Sequence, residues 1–284
     1  MEIIQFEDLA NCARLSNGDA EVVVATEFGP RVLAFNFIGG ANVLGWHPHA
    51  AIQSPLGEYR IYGGHRLWIA PEVPSRTYAP DSAPIEWFFD EAENSIRLVQ
   101  PVEPVSGTRK EMTVKLAGAG GDVTILHKIT NVGDRETELA AWALTIMRGG
   151  GTCEIPNEPF APYGGETLLP VRNLTVWAYT DLSDPRWTFD RELIRLRVDE
   201  SRREPQKIGV LNKRGWARYR LADSVFTKHF DFRETASYPD MNSNTELYVA
   251  GSFVEVETLA PLVTLKPGES TEHVERWRLE PTER

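Results

Sequence analysis

Residues 122–147, DVTILHKITNVGDRETELAAWALTIM, decide the fold. On an extended chain Val123, Ile125, His127 and Ile129 share one side and the residues between them share the other, a period of two. His127 therefore reads as a packed core histidine that needs a hydrogen-bond partner. Gly133-Asp134 supplies turn chemistry, and a second apolar run follows at once, so the stretch reads as two antiparallel strands. Outward from it, similar runs occur at Glu21–Thr26, Arg31–Ile38, Ser95–Gln100, Glu111–Leu116, Asp122–Thr130, Glu138–Met147, Leu193–Val198, Ala217–Leu221, Val225–Phe232, Thr245–Val249, Ser252–Leu259, Leu262–Leu265 and His273–Leu279. Thirteen runs exceed one small sheet, so the expectation is an all-β fold, a large antiparallel two-sheet sandwich with few short helices.

Turn signals at Asn17-Gly18, Gly39-Gly40, Gly120-Gly121 and Pro267-Gly268 punctuate the remaining runs. Helix signals are sparse: Ser183-Asp184-Pro185 predicts a short helical turn, and residues 5–14 a second. Without helices alternating with strands a parallel α/β fold is disfavoured, and no repeat or linker divides the chain, so one domain over 1–284 is expected. A chain of 284 residues buries on the order of 75% of its unfolded surface and needs neither disulfide nor metal to fold. Cys12 and Cys153 build no disulfide framework or zinc site.

With 30 basic against 41 acidic residues, the net charge of −11 repels nucleic acid and anionic membranes. The opening MEIIQFEDLANCARL lacks a signal-peptide pattern, and no run of 18 apolar residues occurs, so a soluble, cytoplasmic protein is expected. Eight Trp residues and 10% aromatics suit a sugar site, although packing alone uses many of them.

Two segments carry candidate chemistry. GGHRLWIAPE (63–72) gathers two glycines that would let backbone approach a ligand, a guanidinium fork at Arg66 and a flat indole at Trp68, with Glu72 closing the segment. If it is extended, His65 shares a face with Leu67, and Arg66 with Trp68. In Ser252–Leu259, Val254 and Val256 point one way while Phe253, Glu255 and Glu257 point the other. Two neighbouring carboxylates raise the pKa of one member and suit acid or base work, or they form a solvated strand face. Lys228 lies among Phe226, Phe230 and Phe232 with His229 opposite, placed to reach a ligand, pair with a carboxylate or extend to water. His47 and His49 flank Pro48 without an acidic third ligand, so no metal is expected. No phosphate-binding glycine motif or nucleophile elbow occurs, and no cofactor is implied.

Three separated segments together resemble the galactose mutarotase (aldose 1-epimerase) superfamily. LSNGDAEVVVATEFGPRVLAFNFIGGANVLG (15–45) is similar to that family's first hairpins, GGHRLWIAPE to its substrate-contacting Gly-Arg segment, and FVEVETLAPLVTLKPGES (253–270) to its glutamate strand and following hairpin. The resemblance implies a cofactor-independent isomerase that interconverts the anomers of a small carbohydrate by general acid/base catalysis. It places Glu257 at the general base and gives Arg66, Trp68 and Glu72 the orienting of the sugar. The family's acid histidine has no counterpart, since its strand here reads ELAAWALTIM, with Trp142 to Thr145 in that place. His65, beside Arg66 in the matching segment, is then the expected proton donor, with Lys228 and His229 next and Glu255 a further substrate contact. A carbohydrate-binding protein without turnover, or a lyase on the same architecture, are the alternative readings.

Overall fold

The computed structural model describes residues 1–164 and 168–282. Strands are numbered in chain order. One antiparallel sheet runs β1 (Glu2–Phe6), β2 (Leu9–Ser16), β3 (Ala20–Ala25), β4 (Arg31–Phe37), β7 (His65–Ala70), β12 (Thr137–Met147), β21 (Phe253–Leu259), β20 (Thr245–Ala250), β17 (Gln206–Val210), β14 (Leu174–Val176), with β22 (Val263–Leu265) paired beside β12. The other runs β15 (Trp187–Phe189), β16 (Leu193–Arg197), β13 (Thr152–Pro156), β18 (Trp216–Arg220), β19 (Ser224–Phe230), β23 (Ser270–Pro281), β11 (Asp122–Asn131), β10 (Thr108–Leu116), β9 (Ser95–Val99), β8 (Glu86–Asp90). A separate hairpin, β5 (Trp46–Ser54) with β6 (Gly57–Gly63), lies against the first sheet. The expected two-sheet sandwich is therefore the architecture. Among the described residues no helix is long and apolar enough to cross a membrane.

The alternation that identifies the strands also sorts their side chains. Leu67 and Ile69 of β7, Ala141 of β12, and Val254 and Val256 of β21 enter the main core, where they meet Met112, Ile125, Phe226 and Trp277 of the second sheet. The opposite face of the first sheet has its own apolar layer: Trp68, Trp142, Leu144, Ile146 and Leu259 pack with Tyr59 and Ile61 of β6. A sheet that is apolar on both faces explains why Thr137–Met147 reads as a nearly unbroken apolar run.

Both helical expectations fail. Residues 5–14 form part of the β1–β2 hairpin, with Phe6 opposite Leu9. Ser183-Asp184-Pro185 stays a turn because the Asp184 carboxylate accepts hydrogen bonds from the backbone N–H, Nε and Nη2 of Arg186, two residues on. That local contact competes with a helical cap. The short helical segments are α1 (Pro74–Thr77) and α2 (Pro239–Asn242), the second carrying left-handed φ angles of 49° at Asp240 and 58° at Met241. Gly63 and Gly64 serve the chain's own packing, not ligand approach: a Cβ on them would lie 2.1 Å from Gly45 O and 2.0 Å from Val32 O.

Between the sheets lies a polar cluster inside an apolar core. His127 Nδ1 donates to His273 O at 2.9 Å, so in the neutral ring Nε2 accepts from His65 Nε2 at 2.7 Å. His65 Nδ1 must then accept from Thr145 Oγ1 at 2.8 Å. Thr258 Oγ1 donates to Glu275 and accepts from His273 Nε2 at 2.7 Å. Lys228 Nζ sits 2.7 Å from Glu275 Oε1 and donates to Val256 O at 3.1 Å. These bonds are those of neutral His65 and His127 rings. Burial disfavours the charged form of all three imidazoles and pushes them below their ordinary pKa, His273 to about 3. Burial pushes the Glu275 carboxyl up, but Lys228 together with the neighbouring His65, His127 and His273 more than reverses this and holds it below the usual carboxylate range.

An acid-sensitive fold follows. Because the folded-state pKa values are depressed, the unfolded chain binds protons that the native state refuses once the pH falls below about 6.5. The stability these three histidines contribute should be fully present above pH 7.5 and be lost below 6.5, with a limiting slope of about 4 kcal/mol per pH unit that the raised Glu246 and Glu255 carboxyls, acting with the opposite sign, make shallower. Urea midpoints measured from pH 8 to pH 4.5 test this. His273→Gln, whose amide can still donate to Thr258, should have a shallower slope, and an unchanged slope would remove His273 from the account.

Candidate functional site

The outward face of the first sheet carries a cavity of about 360 Å³ over β7, β12, β21, β20 and β17. Strand register builds its floor. Arg66, Leu144, Glu257 and Glu246 form one row across four strands, and Ile146, Glu255, Tyr248 and Lys207 form the next. Trp68 stands opposite Trp142. Ala50, Ile52 and Ile61 of the β5–β6 hairpin, Glu72 and Tyr78 from the chain after β7, and Tyr179 complete the walls. Six aromatic rings therefore face the space: Trp68, Tyr78, Trp142, Tyr179, Tyr248 and Phe253.

Two cations and three carboxylates meet at the floor. Arg66 Nη2 donates to Glu255 Oε1 at 2.8 Å, its guanidinium stacks 4.3 Å from the Trp68 ring, and its Nε and Nη1 have no protein acceptor. Lys207 Nζ lies 2.7 Å from Glu246 and 3.1 Å from Glu257 Oε2, between the rings of Trp142 and Trp177 at 4.8 Å from each. Trp142 Nε1 donates to the same Glu257 oxygen at 2.8 Å. Glu257 Oε1 and Glu246 Oε1 are buried without a hydrogen-bond partner.

This crowding sets the proton affinities. Burial raises the Glu255 carboxyl, Arg66 opposes the rise, and Glu257 adds to it. Burial likewise raises Glu246 well above the carboxylate range, against the pull of Lys207. Burial works to lower Lys207, but Glu246 and Glu257 more than offset it and keep the ammonium charged. Burial also raises the phenols of Tyr179 and Tyr248, which stay protonated donors. The cavity thus offers hydroxyl donors, flat apolar faces and one accessible buried carboxyl anchored by a guanidinium.

Of the residues singled out in the sequence, Arg66, Trp68, Glu72 and Glu255 come together around this cavity. Glu257 lies on the expected face but beneath the floor, with 0% exposure, held by Trp142 and Lys207. His65 is not brought here: it alternates to the inner face of β7 and joins His127 between the sheets. Lys228 is likewise internal, paired with Glu275. His229 is exposed on the outer face of the second sheet, opposite Arg276. His47 leans on Phe253 at 5.2 Å and joins no metal-ligand grouping among the described residues. His65, His127 and Glu275 lie close enough to hold a metal ion, but hydrogen bonds already use their facing atoms, and the Lys228 ammonium occupies the place of a cation.

Sequence reasoning missed Lys207, Glu246 and Tyr248. The last two alternate on one face of the recognised run Thr245–Val249, a signal equal in kind to Glu255 and Glu257. Lys207 lies on QKIGV, a strand buried on both faces that offers no alternation to read.

No family model matches the sequence, and no curated protein matches it. Solved structures share the fold. A galactose mutarotase-like protein from Lactobacillus casei aligns over 95% of this chain and 100% of its own, with TM-score 0.60 and 11% identity. A galactose mutarotase related enzyme from Lactobacillus acidophilus aligns over 95% and 97%, with TM-score 0.59 and 8% identity. An Escherichia coli protein provisionally described as an aldose 1-epimerase aligns over 95% and 99%, with TM-score 0.57 and 13% identity. The fold is that of the galactose mutarotase-like proteins.

Lys207 should be the keystone of the floor. In Lys207→Met two carboxylates, Glu246 and Glu257, lose their shared cation, and breaking such a buried pair costs about 3–5 kcal/mol. Without the lysine the folded-state carboxyl pKa values rise further, so the native state takes up protons more readily than the unfolded chain as pH falls. The stability gap to wild type, from urea unfolding, should therefore be smaller at pH 5 than at pH 7.5, and an equal or wider gap would contradict the assignment.

Proposed function

We propose that the cavity binds one sugar ring and interconverts its anomers, with the Glu255 carboxyl moving the protons. The observation that carries this reading is the Arg66–Glu255 pair opening into an aromatic-walled space, with the carboxyl's proton affinity raised by burial. Trp68, Trp142 and Phe253 offer faces to sugar C–H groups, and Arg66 holds the Glu255 carboxyl in place beneath them. About 360 Å³ accommodates a single ring with water, not a polymer.

Ring opening removes a proton from the anomeric hydroxyl and adds one to the ring oxygen as the bond from C1 to that oxygen breaks. Both oxygens are bonded to C1, spaced much as the two oxygens of a carboxyl are. A protonated Glu255 can therefore deliver the proton from Oε2 while Oε1, already accepting from Arg66, takes the anomeric proton. The carboxyl ends neutral with its proton on the other oxygen, and rotation about C1–C2 followed by the reverse exchange closes the other anomer. Nothing is consumed, and no separate histidine is needed. Lys207 and Arg66 stabilise the negative charge that develops during the transfer. This reading moves the acid/base role from Glu257, sealed under the floor, to Glu255, and from His65 to the same carboxyl.

One observation favours a binding protein without turnover: Glu257, the carboxylate at the position of the family's base, makes an ion pair with Lys207 and has no exposure. Proton NMR exchange between α and β anomers of a panel of aldoses separates the two readings. A catalyst should accelerate exchange, and Glu255→Gln should reduce it by about 10²-fold or more while still binding the sugar. The rate should fall as pH rises through the raised carboxyl pKa, since the acid form is the active one. Binding with no acceleration for any aldose would leave the binding reading.

A further inference from the structure

A second surface lies on the other sheet. Its outer face is centred on Glu154, held by Arg195 Nε at 3.4 Å and Arg218 Nε at 2.7 Å. Beyond Pro156, where β13 ends, the chain turns outward through Asn157–Phe160 and borders two adjoining cavities of about 590 and 550 Å³. Between them these cavities are lined by five basic side chains, Arg172, Arg191, Lys213, Arg214 and Arg218, and by two acidic ones, Glu158 and Glu192. In a chain of net charge −11 this is a local reversal of sign.

The neutralising contacts do not cover it. Glu154 engages Arg218 from the adjacent face, and Glu158 acts electrostatically on the part-buried Arg172, whose pKa burial lowers. Arg191, Lys213 and Arg214 have no carboxylate within ion-pair distance among the described residues, and all three are exposed. Arg191 rests instead on an aromatic ring, 4.4 Å from the centre of Phe160, and Arg218, besides its pair with Glu154, lies 5.0 Å from the ring centre of Trp216. Phe160 is 62% exposed, far more than core packing would leave. Gly215, at φ 66°, makes the tight turn that presents Lys213 and Arg214, since a Cβ there would meet Phe230 O at 2.5 Å.

We infer that this groove binds an acidic oligosaccharide, a chain of uronate units, separately from the single-ring cavity on the first sheet. Each ring of such a ligand has a carboxylate for a guanidinium fork and a C–H face for an aromatic ring, the two features that alternate along the groove. The combined space accommodates several rings. A long nucleic acid would meet the repulsion of the whole acidic body, whereas a short uronate chain interacts mainly with the local cations.

The test is calorimetric titration of the full chain with trigalacturonate, with maltotriose as the neutral match, inorganic phosphate as a bare anion and a single-stranded oligonucleotide as a different polyanion. Trigalacturonate should bind at least tenfold more tightly than each of the others, and the binding should weaken as salt is raised. Arg191→Ser with Arg214→Ser, both at exposed positions, should reduce affinity at least tenfold, and Trp216→Ala should reduce it with the cations intact. Glu255→Gln should leave it unchanged, so loss of anomer exchange and loss of this binding are independent results. No binding, equal binding of maltotriose, phosphate or oligonucleotide, or indifference to the double substitution would each overturn the inference.

Discussion

The Lys228–Glu275 ion pair, buried between the two sheets at 2.7 Å, is the constraint on which the rest of the structure hangs. An ammonium and a carboxylate in an apolar core are costly to desolvate, and their attraction offsets this only when the remaining hydrogen-bonding capacity is met. Here it is met by backbone and side chains of particular strands. Lys228 also donates to Val256 O on β21, and Glu275 accepts from Thr258 Oγ1 and Trp277 Nε1. A slip of one residue in any of these strands would turn its polar side chain to the opposite face and leave a buried charge unpaired. The pair's contribution is thus to register, and through register to everything carried on the outward faces.

The strands gripped from beneath are the ones that build the cavity. Thr145 and Thr258 point inward to the histidine cluster, so Leu144 and Glu257 must point outward. His65 points inward, so Arg66 must point outward to Glu255. Two polar clusters therefore sit back to back across one sheet with opposite balances. The inner one pairs one lysine with one carboxylate and keeps its histidines neutral. The outer one sets three carboxylates against one lysine and one arginine, so its carboxyl groups bind protons more tightly than usual.

The period of two made the sandwich legible, because apolar side chains recurring at every second residue can be buried only by a sheet with one face on a core. It also correctly set Arg66 beside Trp68, and Glu255 beside Glu257. It could not say which face of β7 meets the cavity, because both faces are buried, and His65 took the proton-donor role from its place beside Arg66 in the chain although the alternation sets it on the face of Leu67. Gln206–Val210 escaped for the same reason: a strand covered on both sides has no alternation to show. The two early helical expectations were lost to local side-chain bonding at Asp184 and to hairpin pairing at Phe6 and Leu9.

The shift of the chemically available carboxyl from Glu257 to Glu255 follows from the same geometry. The two lie one pleat apart on β21, about 7 Å along the strand, far enough for one to be covered while the other remains open. Lys207 reaches from β17 and Trp142 from β12 to close over Glu257; both bond its Oε2, and its Oε1 is buried. Arg66, by contrast, approaches Glu255 with one nitrogen at Oε1, and the Glu255 side chain keeps some exposure to the cavity. With no histidine lining the cavity among the described residues, its proton-bearing groups are the Glu255 carboxyl and the phenols of Tyr179 and Tyr248. A carboxyl made more basic by burial, yet still anchored by a guanidinium, can exchange protons through both oxygens without an uncompensated charge appearing in the cavity. The chemistry available to this sheet is therefore set by which of its two alternating glutamates the neighbouring strands leave uncovered.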